Sequence, residues 1–239
     1  MNFQIIATGS SGNCYTLTDG QTSVLIDPGI PVHRIMKATG FSICMNNCCL
    51  VTHEHIDHVR GIEGVADLIP VVSSPGTIEA ISEKYKLAIS YTLKPMVRQR
   101  FGSLLITAFP VKHNAREPVG YNIKSLYTMD EFVFITDSQY TGYRFPEANI
   151  MAIECNYSED ILTENEQNGT IESFLAKRIR RYHLSLETLI NILPHSKSLK
   201  TLYLLHGSRH NLDIDEAMNK IKAVFAGDVI TKDIQMEEI

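Results

Sequence analysis

No stretch of the 239-residue chain reaches the run of about 18 apolar residues that a membrane-spanning helix needs. Near the N-terminus there is no cationic region ahead of an apolar core, so no signal peptide is expected. Basic residues are scarce. Lys and Arg number 22 against 27 Asp and Glu, a formal charge of −5. That balance excludes a wholesale nucleic-acid coat, which needs a basic excess, although a local basic patch can still serve on an acidic body. Cysteine is sparse and irregular: Cys14, Cys44, Cys48, Cys49 and Cys155 make an odd number without a framework. Reduced thiols and a cytoplasmic location follow as expectations. Cys44, Cys48 and Cys49 lack a second CxxC or a histidine pair, so they read as buried structural thiols rather than zinc ligands. Repeats of short fixed period and low-complexity segments are also absent.

What remains is an ordinary globular composition, 44% hydrophobic and 21% charged, with enough residues for a core of normal size. Short apolar runs predict strands over 3–7, 14–18, 23–26, 49–52, 71–73, 90–93, 104–111, 120–123, 132–135, 150–154 and 202–205. The Asp19-Gly20 turn between two of these runs is a hairpin signature. Helices are expected over 32–39, 61–68, 75–85, 171–181, 186–193 and 214–225, and the polar stretch 158–169 reads as a loop. Strands early in each half, with helices following, suggest layered sheets with helices outside. One domain over 1–239 accommodates all of it.

The chemistry concentrates at His53-Glu-His55-Ile-Asp57-His58, directly after the strand at 49–52. Four potential metal ligands within six residues cannot all share one face of a strand or helix. A loop at a strand end can turn them toward two neighbouring points, and imidazole with carboxylate suits zinc, manganese or iron. Downstream, His113, Asp137 and His206 each follow an apolar strand. A lone histidine at a strand end is usually structural, so these three gain weight only from their order. His210 competes with His206 from a loop context, and His33 and His195 read as surface residues.

His53-x-His55-x-Asp57-His58 resembles the metal motif of the metallo-β-lactamase superfamily, and the likeness extends along nearly the whole chain. It implies an α/β fold, a four-layer αββα sandwich with the metals at one sheet edge. Position by position, it implies that His53, His55 and His113 bind one divalent ion, that Asp57, His58 and His206 bind a second, and that Asp137 bridges them. Asp27, closing an early strand, would orient the histidine loop. Zinc is the first choice for the pair, with manganese and iron as alternatives.

Within the superfamily the match is nearer to the small metallo-hydrolases of the WalJ (YycJ) type. Gly9-Ser10-Ser11-Gly12-Asn13 is similar to their N-terminal turn, and Pro118-Val119-Gly120-Tyr121 to a later strand. Glu154-Cys155-Asn156 and His183-Leu184-Ser185 resemble two further segments, whereas Tyr157 and Gly207 depart from the type. The stretch from Asp137 to His206 is too short for the inserted domain of the β-CASP nucleases.

The resemblance implies hydrolysis of a phosphodiester in DNA or RNA by a hydroxide held between two metals. Asp57 and His183 are the catalytic candidates, His183 as general acid to the leaving oxygen; Ser185 could alternatively make this segment a plain helix start. Lys177, Arg178, Arg180 and Arg181 could grip phosphate, with Ser10, Ser11 and Asn13 as further donors. For those residues the bland readings are a solvated helix face and an ordinary Gly-Ser turn. A small-molecule hydrolase acting on a cyclic phosphodiester, thioester or lactone is the alternative enzyme, and a metal-binding module without turnover the non-enzyme one.

Overall fold

A computed structural model describes residues 1–139 and 142–231. The chain groups into two compact units, Met1–Pro110 with Ala115–Glu131, and Val111–Asn114 with Phe132–Ile239.

The first unit is built on a six-stranded sheet in simple sequence order: β1 (Asn2–Ala7), β2 (Cys14–Thr18), β3 (Ser23–Ile26), β4 (Cys48–Leu50), β5 (Val71–Ser73) and β6 (Ser90–Thr92). The first three strands run antiparallel and the rest parallel. Parallel neighbours need crossovers. Helix α1 (Val32–Ala38) supplies one between β3 and β4, α2 (Ile56–Val59) and α3 (Ile62–Ala66) lie between β4 and β5, and α4 (Pro75–Ser82) leads to β6. Buried on all sides, β4 and β5 read Cys-Cys-Leu and Val-Val-Ser, the near-continuous apolar pattern of strands covered on both faces. Ser74 caps α4 and Pro75 takes its first position, where a missing N–H costs nothing. An antiparallel meander of β7 (Arg98–Phe101), β8 (Leu104–Pro110) and β9 (Val119–Ser125) completes the unit.

In the second unit, β10 (Glu131–Ile135), β11 (Ile150–Glu154), β12 (Thr201–Leu205) and β13 (Asp228–Thr231) pair in parallel. Helices α5 (Glu159–Gln167), α6 (Ser173–Tyr182) and α7 (Leu186–Ile192) connect β11 to β12, and α8 (Ile214–Lys222) leads to β13. Ile135 pairs with Ile153, and Glu154 with Leu205. The carboxyl ends of β10, β11 and β12 therefore finish side by side, the edge of a parallel sheet where ligand sites form.

Four expectations need correction. The loop expected at 158–169 is helix α5, with Ser158 at its N-cap, an acidic first turn, and Gly169 just beyond it at φ +77°. Its composition is polar because Leu162 is its one buried residue. Strands β7 and β13 were not anticipated; both alternate exposed with half-buried residues and pair on one side only in their unit. The histidine segment is not all loop, since Asp57 and His58 ride on the single turn α2. Cys44 is exposed, whereas Cys14, Cys48, Cys49 and Cys155 are buried, and all five thiols are free.

Candidate active site

Three candidate residues share one backbone device. Among the described residues six non-glycine positions have positive φ, and Asp27 (51°), Asp137 (35°) and His206 (53°) are three of them. Each follows the end of a strand, β3, β10 or β12. A left-handed residue there turns the chain sharply and aims a polar side chain off the sheet edge. The conformation disfavours an L-residue, and such strain gathers at functional positions.

In the first unit the histidine loop hangs on Asp27. Its Oδ1 accepts the Thr52 N–H at 2.8 Å, and its Oδ2 accepts the Thr52 hydroxyl at 2.9 Å. The same Oδ2 lies 2.8 Å from Nδ1 of His58, and both side chains are fully buried. The carboxylate fixes the imidazole proton on Nδ1, so Nε2 presents its lone pair. Asn13 donates toward that Nε2 at 3.0 Å, and Oδ2 of Asp57 stands 3.5 Å from it. Nδ1 of His53 faces the Thr52 hydroxyl at 3.1 Å, and its Nε2 lies 3.1 Å from Nδ1 of His55. Two anchors from β9 hold the loop's root: Val119 donates to the Thr52 carbonyl at 3.0 Å and the buried Tyr121 hydroxyl to that of Val51 at 2.5 Å. The turn before Asn13 packs backbone to backbone with the rest, since Gly29 donates to the Asn13 carbonyl and Asn13 to that of Asp57.

In the second unit the organising group is Glu154, at the end of β11 and fully buried. Its Oε1 lies 2.6 Å from Nδ1 of His183 and 3.1 Å from Nδ1 of His206. Its Oε2 accepts the backbone N–H groups of Ser138 and Leu184, both at 3.0 Å. Asp137 stands between imidazoles, with Oδ1 3.4 Å from Nε2 of His206 and Oδ2 3.6 Å from Nε2 of His113. The His113 Nδ1–H is turned to the Tyr182 carbonyl at 3.1 Å. The rings of His183 and His206 stack with centroids 5.5 Å apart. Asn156 donates to the His206 carbonyl at 2.8 Å, fixing the strained turn.

Charges follow from this packing. Burial alone would raise the Glu154 carboxyl, but the charge of His183 and the hydrogen bonds from His183 and His206 bring it below the ordinary carboxylate range. Burial pulls the His183 imidazole down; the charge and hydrogen bond of Glu154 outweigh this and leave it above the usual histidine value. For His113 burial dominates the attraction of Asp137, so the ring favours its neutral form. A neutral ring is what a metal requires.

In the second unit, ligand atoms of Asp137, Glu154, His183 and His206 all lie within 4.8 Å of one another. In the first, His53 pairs with His55 and Asp57 with His58. Imidazole nitrogens with carboxylates, oriented through their Nδ1 atoms, fit a divalent ion. His210 is exposed where His206 is buried, and His33 and His195 are exposed as expected. Ser185 does cap α7, accepting from the Thr188 N–H at 3.1 Å.

The phosphate candidates divide. Asn13 is buried and committed to His58, Gly9 and Tyr15, so it is not a donor for an incoming phosphate. Arg180 is also withdrawn: its guanidinium meets Glu159 at 2.5 Å, Glu166 at 2.7 Å and Thr163 at 3.0 Å, tying α6 to α5. Ser10, Ser11, Lys177, Arg178 and Arg181 are exposed. The residues sequence reasoning left without a role are Glu154, Asn13 as a histidine partner, and Asn156. The signal for Glu154 was an acidic residue closing an otherwise apolar strand, the mark that singled out Asp27 and Asp137.

Among the described residues no helix is long and apolar enough to cross a membrane. The chain is 28% identical to the exodeoxyribonuclease WalJ of Streptococcus pneumoniae serotype 2 (strain D39 / NCTC 7466), covering 87% of this chain and 82% of that protein. It is 25% identical to the exodeoxyribonuclease YycJ of Bacillus anthracis, over 96% and 89%. Its fold is that of the metallo-β-lactamase fold protein YhfI from Bacillus subtilis, with a TM-score of 0.74 and 20% identity over 96% of this chain and 95% of that one. Two sheets with helices are the common architecture. A family model described as the beta-lactamase superfamily domain matches residues 22–206, running through both units, and the chain belongs to that superfamily.

Proposed function

We propose that the chain is a metal-dependent phosphodiesterase that acts on DNA or RNA. The observation that carries this reading is the orientation of the imidazoles. Nδ1 of His53, His58, His113, His183 and His206 each meets a protein oxygen, which makes Nε2 the working nitrogen of all five. Structural histidines have no reason to share that choice; ligands and proton donors do. His53, His55 and His113 are the proposed ligands of one divalent ion, with Asp57, His58 and His206 on a second and Asp137 bridging. When bound, the ions supply Lewis acidity and a water activated at neutral pH. Zinc suits the nitrogen-rich set, with manganese or iron as alternatives.

Asp27 and Glu154 hold the ligands in register, and Glu154 keeps His183 charged. A protonated His183 can pass its Nε2 proton to the leaving oxygen of the scissile bond, while Asp57 aligns the attacking water. The names of the nuclease relatives support a nucleic-acid substrate, and five free cysteines support a reducing, cytoplasmic setting.

The test is digestion of end-labelled single-stranded and duplex DNA and RNA, with manganese or zinc and with chelator. Metal-dependent cleavage that is lost in Asp137→Ala is expected. Hydrolysis of only a small cyclic phosphodiester, thioester or lactone would move the substrate to the class that the net charge of −5 favours.

A further inference from the structure

Helix α6 has two faces of different character. Ala176 is buried with Tyr157 and Leu162, Ile179 packs against them, and Arg180 is locked to Glu159 and Glu166. On the other side stand Phe174, Lys177, Arg178 and Arg181, spaced i, i+3, i+4 and i+7, which is one stripe of an α-helix. All four are exposed, Phe174 to 76%. Among the described residues the three cations of the stripe form no ion pair, and Arg181 lies over the Tyr182 ring at 5.5 Å. A merely solvated charged face needs no aromatic at its head, and a helix packed on one side has no use for an outward phenylalanine. The stripe ends at Arg181, about half a turn before His183, which closes the helix as its C-cap, and from His183 it reaches back roughly 13 Å to Phe174 at the helical rise.

We infer that this stripe is a docking track for single-stranded nucleic acid, with Phe174 as the platform on which one base stacks and Lys177, Arg178 and Arg181 as the partners of successive phosphates. The inference rests on the phosphodiesterase reading above and names its substrate more narrowly. Three unpaired cations on a chain of net charge −5 are complementary to a polyanion, and an aromatic beside them suits a strand whose bases are unstacked. Along a duplex the base faces are covered by their neighbours, so Phe174 has nothing to stack on except at the two blunt ends.

The experiment is fluorescence anisotropy of the full chain with labelled oligothymidylate and with a blunt duplex, in chelator so that cleavage is suppressed. Phe174→Ala is expected to weaken single-strand binding on the order of tenfold, with Phe174→Trp restoring it and duplex binding unmoved. Lys177→Ala or Arg178→Ala should each lower the slope of log affinity against log salt by about 0.7. Unchanged single-strand affinity in Phe174→Ala, or an equal loss on the duplex, overturns the inference. Metal-dependent hydrolysis of bis(p-nitrophenyl) phosphate, too small to need the helix, separates the two readings. Turnover of that diester with oligonucleotide binding indifferent to Phe174 sinks the docking track and leaves the phosphodiesterase. Phe174-dependent binding with no diester cleaved under any metal does the reverse.

Discussion

Exchanging Glu154 for glutamine removes one charge at nearly constant volume and disturbs four hydrogen bonds. The carboxylate accepts from two backbone amides through Oε2 and faces two imidazole Nδ1 atoms through Oε1, at 2.6–3.1 Å. An amide offers one acceptor oxygen. If that oxygen keeps Ser138 and Leu184, the NH2 group confronts both imidazoles, and their protons must move to Nε2, which for His206 is the side the proposed metal needs. If it keeps the imidazoles, the NH2 group meets two backbone N–H donors instead. Either arrangement forfeits two charge-assisted hydrogen bonds in a buried site, and at the low end of their range this costs about 3 kcal/mol. For a chain of this size the melting temperature should fall on the order of 10 °C. Divalent-metal affinity and turnover should each drop roughly 10–100-fold. Thermal melting in chelator reads the first effect, and calorimetric titration with zinc or manganese reads the second. A glutamine variant that melts with the wild type and keeps its metal affinity refutes the shared anchor; loss of stability with unchanged affinity leaves Glu154 a packing residue only.

Three further outcomes are expected from the packing. Asp19 is buried and accepts from the hydroxyls of Ser103 and Ser125 and the amides of Thr22 and Gln21; burial opposes ionisation, but these bonds hold its pKa at about 2. A depressed pKa contributes stability above the unfolded value of about 3.9 and loses it as pH falls toward 2, so Asp19→Asn should cost roughly 2 kcal/mol in urea unfolding at pH 7 and almost nothing near pH 2. A Cβ at Gly29 would collide with the Asp57 carbonyl, so Gly29→Ala should destabilise by about 1–3 kcal/mol and reduce turnover by displacing Asp57 and His58; an active variant of wild-type stability would contradict the packing. Arg180→Gln should destabilise by about 1 kcal/mol through the lost Glu159 and Glu166 pairs, yet leave the salt slope of oligonucleotide binding untouched, whereas a fall of about 0.7 would return Arg180 to the phosphate contacts.

Much of the fold was legible because its strands are short apolar runs closed by turn residues. The hairpin at Asp19-Gly20 and the buried strands β4, β5, β10, β11 and β12 follow from that pattern alone. Helix α5 was not legible, because Glu159, Asp160, Glu164 and Glu166 give it the composition of a loop. Its cohesion comes from Leu162 on one side and Arg180 reaching across from α6, a tertiary contact that no local window contains. Strands β7 and β13 escaped for a related reason, since each pairs on one side within its unit and presents alternate residues to solvent, leaving little apolar signal. In the candidate site, the histidines and aspartates, their order and Asp27 as an orienting group could be read; the partners Asn13 and Glu154 could not. Asn13 lies 45 positions from His58, and Glu154 lies 29 from His183.

The residues that could be read and those that could not belong to one design. A ligand at a strand end must leave the sheet at a sharp angle, and the left-handed turn that achieves this strains any residue with a Cβ by roughly 1–2 kcal/mol. Glycine would relieve the strain at Asp27, Asp137 and His206, but it carries no donor atom, so stability and chemistry pull these positions in opposite directions. The bonds around them offset the cost. Asp27 gains Thr52 and His58, and His206 gains Asn156 and Glu154. Asp27 and His206 are thereby each held by buried polar partners, and the bonds between them form only while the strained turn is made. Removing either member should therefore cost more than the bond between them, which is why the buried carboxylates Asp27 and Glu154, neither of which is proposed to touch a metal, are expected to be as intolerant of substitution as the ligands themselves.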